Sequence, residues 1–149
     1  MSTMDDTGKP LHEAVLLSGQ VQHRLRRAYQ RASGIFADAM GDTPVTPTQW
    51  AALTTLDNQG VLSQNRLGRL TYMDPATIQG VILRLEERRL VERSPDPEDR
   101  RRTSVRLTRA GLEAVDTLMP KAVDAHNRTL APLTPEERML FLKLLARLM

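Results

Sequence analysis

Residues 85–111 read LEERRLVERSPDPEDRRRTSVRLTRAG and contain a change from helical to strand-like character. The runs 90–93 and 103–107 are interpreted as two short strands, and the residues between them, 94–102, are rich in proline and charge. This part of the chain therefore predicts a β-hairpin with a charged tip.

A helix is predicted shortly before this hairpin, beginning at residue 46. Thr46 is a suitable N-cap, Pro47 fits the first helical position, and Gln49 is placed to complete a capping box. Gly60 is expected to end the helix. Its predicted buried face consists of Trp50, Leu53 and Leu56.

Two further helices are predicted between this one and the hairpin. The first is short, begins at Ser63, and is expected to turn Leu67 and Leu70 inward. The second begins at Asp74, where an N-cap precedes a proline, and runs to about Arg88. Its predicted apolar stripe consists of Ile78, Val81, Ile82 and Leu85.

Long helices are predicted on both sides of this region. Apolar or small residues recur at helical spacing over residues 11–39, and a helix of that length needs more apolar cover than a small domain offers. We therefore expect it to pack partly against another chain. Helical patterns return from residue 108, with a kink expected at Pro120, and again from Thr134, where Glu137 completes a second capping box.

The sequence thus predicts a mainly α fold with a small β-hairpin. We expect a disordered N-terminus at 1–10, a long first helix for dimerisation at 11–40, a winged helix-turn-helix DNA-binding lobe at 46–109, and C-terminal dimerisation helices at 110–149. In a winged helix-turn-helix the second helix of the motif enters a DNA major groove. The hairpin then reaches the flanking backbone or minor groove.

Composition narrows the classes of function. The chain has 149 residues, with 21 Lys+Arg against 18 Asp+Glu, and most of its cations are arginines, whose planar guanidinium suits phosphates and base edges. An ordinary solvated surface is the alternative interpretation of these charges.

The chain has no cysteine, which excludes disulfides and cysteine-ligated zinc, and residues 1–10 lack the apolar core of a signal peptide. We expect a soluble cytoplasmic protein with no cofactor and no membrane partner.

The sequence offers no catalytic constellation, so no enzyme is expected. His12, His23 and His126 lack metal-ligand spacing, and neither a glycine-rich phosphate loop nor a nucleophile elbow is present. Two alternatives to a sequence-specific regulator stay open. One is an architectural protein that bends DNA without sequence preference, and the other is a winged module that binds protein.

Four motifs carry a resemblance to a known family. They are TPTQW at 46–50, LEERRLV at 85–91, DPEDRRR at 96–102 and LTRAG at 107–111. Together they resemble the MarR family of bacterial transcriptional regulators over 46–111. The combination of the Asp-Pro-x-Asp-x-Arg wing with Leu-Thr-x-x-Gly is far more specific than a helix-turn-helix pattern alone.

The resemblance implies a homodimer with interlocked terminal helices and two winged lobes on a pseudopalindromic operator of double-stranded DNA. Two-fold symmetry would place the recognition helices about 34 Å apart, one turn of DNA. It also implies a regulator, usually a repressor, that a small aromatic effector ligand of carboxylic or phenolic type releases from DNA.

Candidate DNA-binding residues follow from their positions. In the recognition helix they point away from the apolar stripe: Ala76, Thr77, Gln79, Gly80 and Arg84. Gln79 would pair with adenine and Arg84 with guanine or phosphate, whereas Thr77 would either contact a base or cap the helix. In the preceding helix, short polar residues suit phosphate contacts: Ser63, Gln64, Asn65 and Thr71.

The wing supplies four more candidates. The resemblance implies that the Asp99 carboxylate orients the Arg101 guanidinium, which enters the minor groove, with Arg100 and Arg102 nearer the backbone. Arg89 departs from the family pattern, which usually has glycine there. Either the recognition helix ends differently in this chain, or its last turn is strained.

Candidate ligand-binding residues lie mainly on the first helix. His23, Arg26 and Tyr29 follow one another at three-residue steps, so they share one face and could bind an aromatic carboxylate. Trp50 and Met73 would add apolar surface. The alternatives are that Trp50 belongs to the core and that Arg26 is solvated or forms an interface salt bridge.

Overall fold

The structure of the protein is a computed structural model that describes residues 4, 8 and 10–149, and only the backbone of 11–19. The chain divides into two compact units. The helical unit comprises the described residues up to Ile35 together with Thr129–Met149, and the central unit is Phe36–Arg128. Most of the N-terminus expected to be disordered lies outside the described residues.

The described chain contains six helices and three strands in an order that confirms the predicted mainly α, winged-helix fold. In chain order they are α1 (Leu11–Met40), α2 (Pro47–Gln59), β1 (Leu62–Ser63), α3 (Gln64–Leu70), α4 (Pro75–Glu87), β2 (Val91–Pro95), β3 (Thr103–Leu107), α5 (Arg109–Leu130) and α6 (Pro135–Ala146). None of these helices has the length and apolar composition that a membrane span requires.

Helix α2 begins and ends as predicted. The Gln49 N–H donates to Thr46 Oγ1 and the Thr46 N–H donates to Gln49 Oε1, both at 3.2 Å, which is the reciprocal capping box. Gly60 ends the helix with φ +75°. The predicted buried face is correct for Leu53 and Leu56, but Trp50 is only half-buried and Gln49 is buried in its place.

The packing of α3 against α4 differs from the prediction at one residue. Leu67 is buried as expected, but Leu70 is 43% exposed. The reason is that α4 approaches α3 at Gly68, where a Cβ atom would lie 3.2 Å from Cγ2 of Ile78. On α4 the whole predicted apolar stripe is buried: Ile78, Val81, Ile82 and Leu85.

The sheet has one strand more than predicted. Its order is β1-β3-β2, both pairs are antiparallel, and β1 is a two-residue strand in which Ser63 is paired with Ser104. Strands β2 and β3 form the predicted hairpin, although β2 starts at Val91 and extends to Pro95. The extra strand fixes the start of α3 beside the wing.

The end of α4 shows which of the two alternatives holds at Arg89. The Leu90 N–H donates to the Leu85 carbonyl at 2.9 Å and the Arg89 N–H donates to the Glu86 carbonyl at 2.8 Å, a Schellman motif. Arg89 occupies its left-handed position with φ +58°. The turn therefore keeps the geometry that favours glycine, and the arginine is strained.

The flanking helices expose much apolar surface. Helix α5 continues through Pro120, and α6 starts with the predicted capping box, in which Thr134 and Glu137 exchange hydrogen bonds. Helix α6 buries none of its residues. Its exposed apolar side chains include Met139, Leu140, Phe141, Leu142 and Leu144.

Candidate nucleic-acid interface

The N-terminus of α4 is held by its cap. The Asp74 carboxylate accepts hydrogen bonds from the N–H and from the hydroxyl of Thr77, both at 2.8 Å. These two bonds lower the pKa of the Asp74 carboxyl, so the cap is charged at neutral pH. Thr77 thus serves the cap, one of its two predicted roles, and its methyl group and the acceptor side of its hydroxyl oxygen are left for a base.

The outer face of α4 is open for recognition. Ala76, Thr77, Gln79 and Arg84 are exposed, and Gly80 is half-buried, while the apolar stripe on the opposite side is buried. Leu83, which sequence reasoning did not select, is also 38% exposed. The helix therefore offers an amide, a guanidinium and apolar groups, the side-chain chemistry that reads base edges in a major groove.

An open pocket of about 200 Å³ joins the start of α3 to the wing. Six residues line it, five of which were predicted DNA contacts: Ser63, Gln64, Asn65, Arg101, Arg102 and Thr103. The pairing of β1 with β3 brings the two segments together. The pocket combines short polar side chains with two guanidinium groups, which suits a phosphate of the DNA backbone.

The two hydroxyl groups predicted for phosphate contact are used differently. Ser63 Oγ accepts from the Arg66 N–H at 3.3 Å and so keeps its own hydrogen for another acceptor. Thr71 Oγ1 instead donates to the Leu67 carbonyl at 2.7 Å. Because a phosphate offers only acceptors, this conformation of Thr71 does not suit the predicted contact.

The wing loop is built from side-chain turns. Asp96 Oδ1 accepts from the Glu98 N–H at 2.9 Å, and Asp99 Oδ1 accepts from the Arg101 N–H at 3.0 Å, each an Asx turn. The second carboxylate oxygen of Asp99 lies 3.6 Å from Arg102 Nε. Asp99 therefore orients Arg101 through its backbone and pairs with Arg102, which corrects the predicted pairing with the Arg101 guanidinium.

Ion pairs divide the arginines into two groups. The paired ones include Arg93, whose guanidinium lies 2.6 Å from Glu86 and links β2 to α4, and Arg106, which lies 2.5 Å from Glu92. In the described part of the chain, five exposed arginines of the central unit have no ion pair and lie in α3, α4 or the wing loop: Arg66, Arg69, Arg84, Arg100 and Arg101.

Arg66 and Arg69 were missed by sequence reasoning. They lie on α3 at three-residue spacing and are both exposed, which puts them on one side of the helix. The sequence could have indicated them, because Arg66 and Arg69 flank the buried pair Leu67 and Gly68. An unpaired guanidinium can neutralise a phosphate without first breaking an internal contact.

The candidate ligand residues fall into two sets. In the helical unit, His23 and Arg26 are in contact, with His23 Nδ1 3.1 Å from Arg26 Nη2, and Tyr29 is 64% exposed. In the central unit, Trp50 and Met73 are half-buried and pack against the hydrophobic core. The first set offers a cation, an imidazole and a phenol on one helix.

The geometry defines the class of protein: a winged helix-turn-helix protein, with α3 and α4 as the motif and the β2-β3 hairpin as the wing. Comparison with known proteins agrees. The MarR family model matches residues 45–103. The transcriptional repressor NicR of Pseudomonas putida is 40% identical over 87% of this chain and 82% of its own length.

Solved structures are similar over almost the whole chain. A probable transcriptional regulator from Pseudomonas aeruginosa is 46% identical, with 89% of this chain and 99% of that one covered and a TM-score of 0.83. BpsR of Bordetella bronchiseptica, whose DNA binding is regulated by 6-hydroxynicotinic acid, is 40% identical, with coverages of 87% and 98% and a TM-score of 0.81. The chain belongs to the MarR family of transcriptional regulators.

Proposed function

We propose that the protein is a sequence-specific transcriptional repressor that binds a pseudopalindromic operator as a homodimer and is released by a small aromatic acid. The observation that carries the proposal is the distribution of unpaired arginines. Arg84 on α4 and Arg101 on the wing lack ion pairs in the described residues, whereas neighbouring arginines of the hairpin are neutralised internally. Free cations thus lie on the elements that a winged helix applies to DNA.

The proposed docking assigns each element one role. Helix α4 enters the major groove, where Gln79 contacts adenine and Arg84 contacts guanine or phosphate. The pocket between α3 and the wing receives a backbone phosphate. Arg101 reaches the minor groove, whose negative potential favours an inserted guanidinium.

The exposed apolar helices support a homodimer. Met139 and Leu140 of α6 are 70% and 55% exposed in the single chain, and Val21 of α1 is 53% exposed. Large exposed apolar patches mark interaction surfaces in soluble proteins. A second copy of the chain would cover these faces and place two α4 helices about one DNA turn apart.

The ligand class follows from the relatives and from the residues of α1. NicR and BpsR are both 40% identical to this chain. The DNA binding of BpsR is regulated by 6-hydroxynicotinic acid. We propose that Arg26 and His23 bind the carboxylate of such a ligand and that Tyr29 contacts its ring. The roles of Trp50 and Met73, which belong to the central unit, stay predictions from the sequence.

A titration of aromatic acids into the preformed protein–DNA complex tests this proposal. Fluorescence polarisation should show that 6-hydroxynicotinic acid or a related acid weakens operator binding by about tenfold, within the usual range of allosteric coupling. The matching carboxamide should have little effect, because it has no charge to pair with Arg26.

Variants of adjacent arginines provide the control. Arg26→Ala should abolish the response to the acid, whereas Arg27→Ala, at a neighbouring residue that is also exposed, should retain it. Operator binding that no acid in the panel changes would contradict the ligand part of the proposal and leave the DNA-binding part intact. Equal loss of response in both variants would contradict the assignment to Arg26.

A further inference from the structure

Tyr72 lies in the turn between α3 and α4 in a conformation that favours glycine. The Met73 N–H donates to the Gly68 carbonyl at 2.9 Å and the Tyr72 N–H donates to the Arg69 carbonyl at 3.3 Å, so α3 also ends in a Schellman motif. Tyr72 occupies its left-handed position with φ +54°. A side chain at such a position strains the backbone.

The Tyr72 side chain gains nothing from packing that would offset this strain. It is 82% exposed, the highest value among the exposed large hydrophobic side chains of the described residues. Glycine would satisfy the same two hydrogen bonds without the steric conflict. Residues held in strained conformations cluster at functional sites, so the exposed ring points to a contact outside the folded chain.

The surroundings of Tyr72 indicate the chemistry of that contact. Along α3 and the turn, Arg66, Arg69 and Tyr72 are exposed at steps of three residues, and both arginines lack ion pairs in the described chain. Two residues after Tyr72, the Asp74 cap starts the recognition helix. Tyr72 therefore lies in the turn between a helix with two unpaired arginines and the helix proposed to enter the major groove.

We propose that the Tyr72 hydroxyl donates a hydrogen bond to a phosphate of the operator backbone. This inference rests on the proposed DNA-binding function and adds one contact to it. Tyrosine is among the side chains that contact phosphate oxygens, and such contacts fix the position of a protein on DNA without reading sequence. The contact would anchor the turn and so fix the entry of α4 into the groove.

Binding measurements on Tyr72→Phe test the proposal, because this variant removes only the hydroxyl. We expect affinity to fall about fivefold, and by the same factor on operator and on unrelated DNA, since a phosphate contact is independent of sequence. Val61→Ala, which alters another exposed side chain of the central unit, should bind like the wild type.

Thermal unfolding separates the role in binding from a role in folding. Tyr72→Gly should raise the Tm by about 2 °C, as Arg89→Gly should at the other strained position, yet bind DNA more weakly than the wild type. If Tyr72→Phe binds DNA as tightly as the wild type, the inference about Tyr72 is overturned. Specific operator binding by the wild type would still support the proposed function in that case. Absence of operator binding by the wild type would overturn both.

Discussion

Gly111→Ala is expected to destabilise the central unit by about 3 kcal/mol, the upper end of the usual cost of forcing atoms into a packed site that cannot adjust. A Cβ atom at residue 111 would lie 2.0 Å from the carbonyl oxygen of Leu90 and 3.0 Å from its carbonyl carbon. Both atoms belong to the backbone of Leu90, which hydrogen bonds hold in place through its N–H and through its carbonyl. The Leu90 N–H bonds to Leu85, and the Leu90 carbonyl accepts from the Thr108 N–H at 3.0 Å.

Urea and thermal unfolding of purified Gly111→Ala would measure the loss. The matched control is Gly34→Ala in α1, because a Cβ there meets nothing within 4 Å and alanine favours helix over glycine. The control should keep or raise the Tm. A Gly111→Ala protein whose Tm lies within 2 °C of the wild type, roughly a ΔΔG below 1 kcal/mol, would contradict the packing described here.

The same contacts give a physical reason for the Leu-Thr-x-x-Gly motif. Thr108 Oγ1 donates to the Arg89 carbonyl at 2.6 Å and accepts from the Gly111 N–H at 3.0 Å. Its side chain thus joins the end of α4 to the start of α5, and Gly111 permits the close approach. The motif connects α4, the wing and α5 through these contacts. Substitutions in the motif should therefore also weaken DNA binding.

Arg101→Ala is expected to weaken operator binding by about tenfold or more and to reduce the slope of log affinity against log salt by about 1. Arg101 is exposed on the wing and has no ion pair in the described residues, so its charge is available to DNA. Arg106→Ala is the matched control, because the Arg106 guanidinium already pairs with Glu92 on the adjacent strand. It should change affinity little.

Gln79→Ala should behave differently from Arg101→Ala. Because Gln79 is proposed to read a base edge, its loss should chiefly relax base preference at one position of each half-site, worth about 1–3 kcal/mol of discrimination. Polarisation titrations over a salt series and a set of single-base operator variants would measure both effects. Equal affinity losses in Arg101→Ala and Arg106→Ala, or no change of preference in Gln79→Ala, would contradict the docking.

Features set by local chemistry could be predicted from the sequence. The caps at Thr46, Asp74 and Thr134 depend on hydrogen bonds within four residues, and all three were correct. The buried stripe of α4 was correct because helical periodicity alone places it on one face. The strained turn at Arg89 could be foreseen as an alternative, since only glycine fits the left-handed position freely.

Features set by distant partners could not be predicted. Strand β1 has two residues, too few for any periodicity, and exists only because β3 lies beside it. Leu70 is exposed because α4 packs at Gly68, a contact between separate helices. Asp99 pairs with Arg102 because the turn geometry of the wing, which the motif does not specify, directs its second oxygen there.

Competition for DNA binding tests the central claim most directly. The protein would be bound to a fluorescent duplex from upstream of its own gene, and unlabelled operator and unrelated DNA would be titrated against it at physiological salt. A specific regulator should require about a thousandfold more unrelated DNA than operator for the same displacement. Equal displacement by the two DNAs would contradict the account and favour an architectural protein that binds DNA without sequence preference.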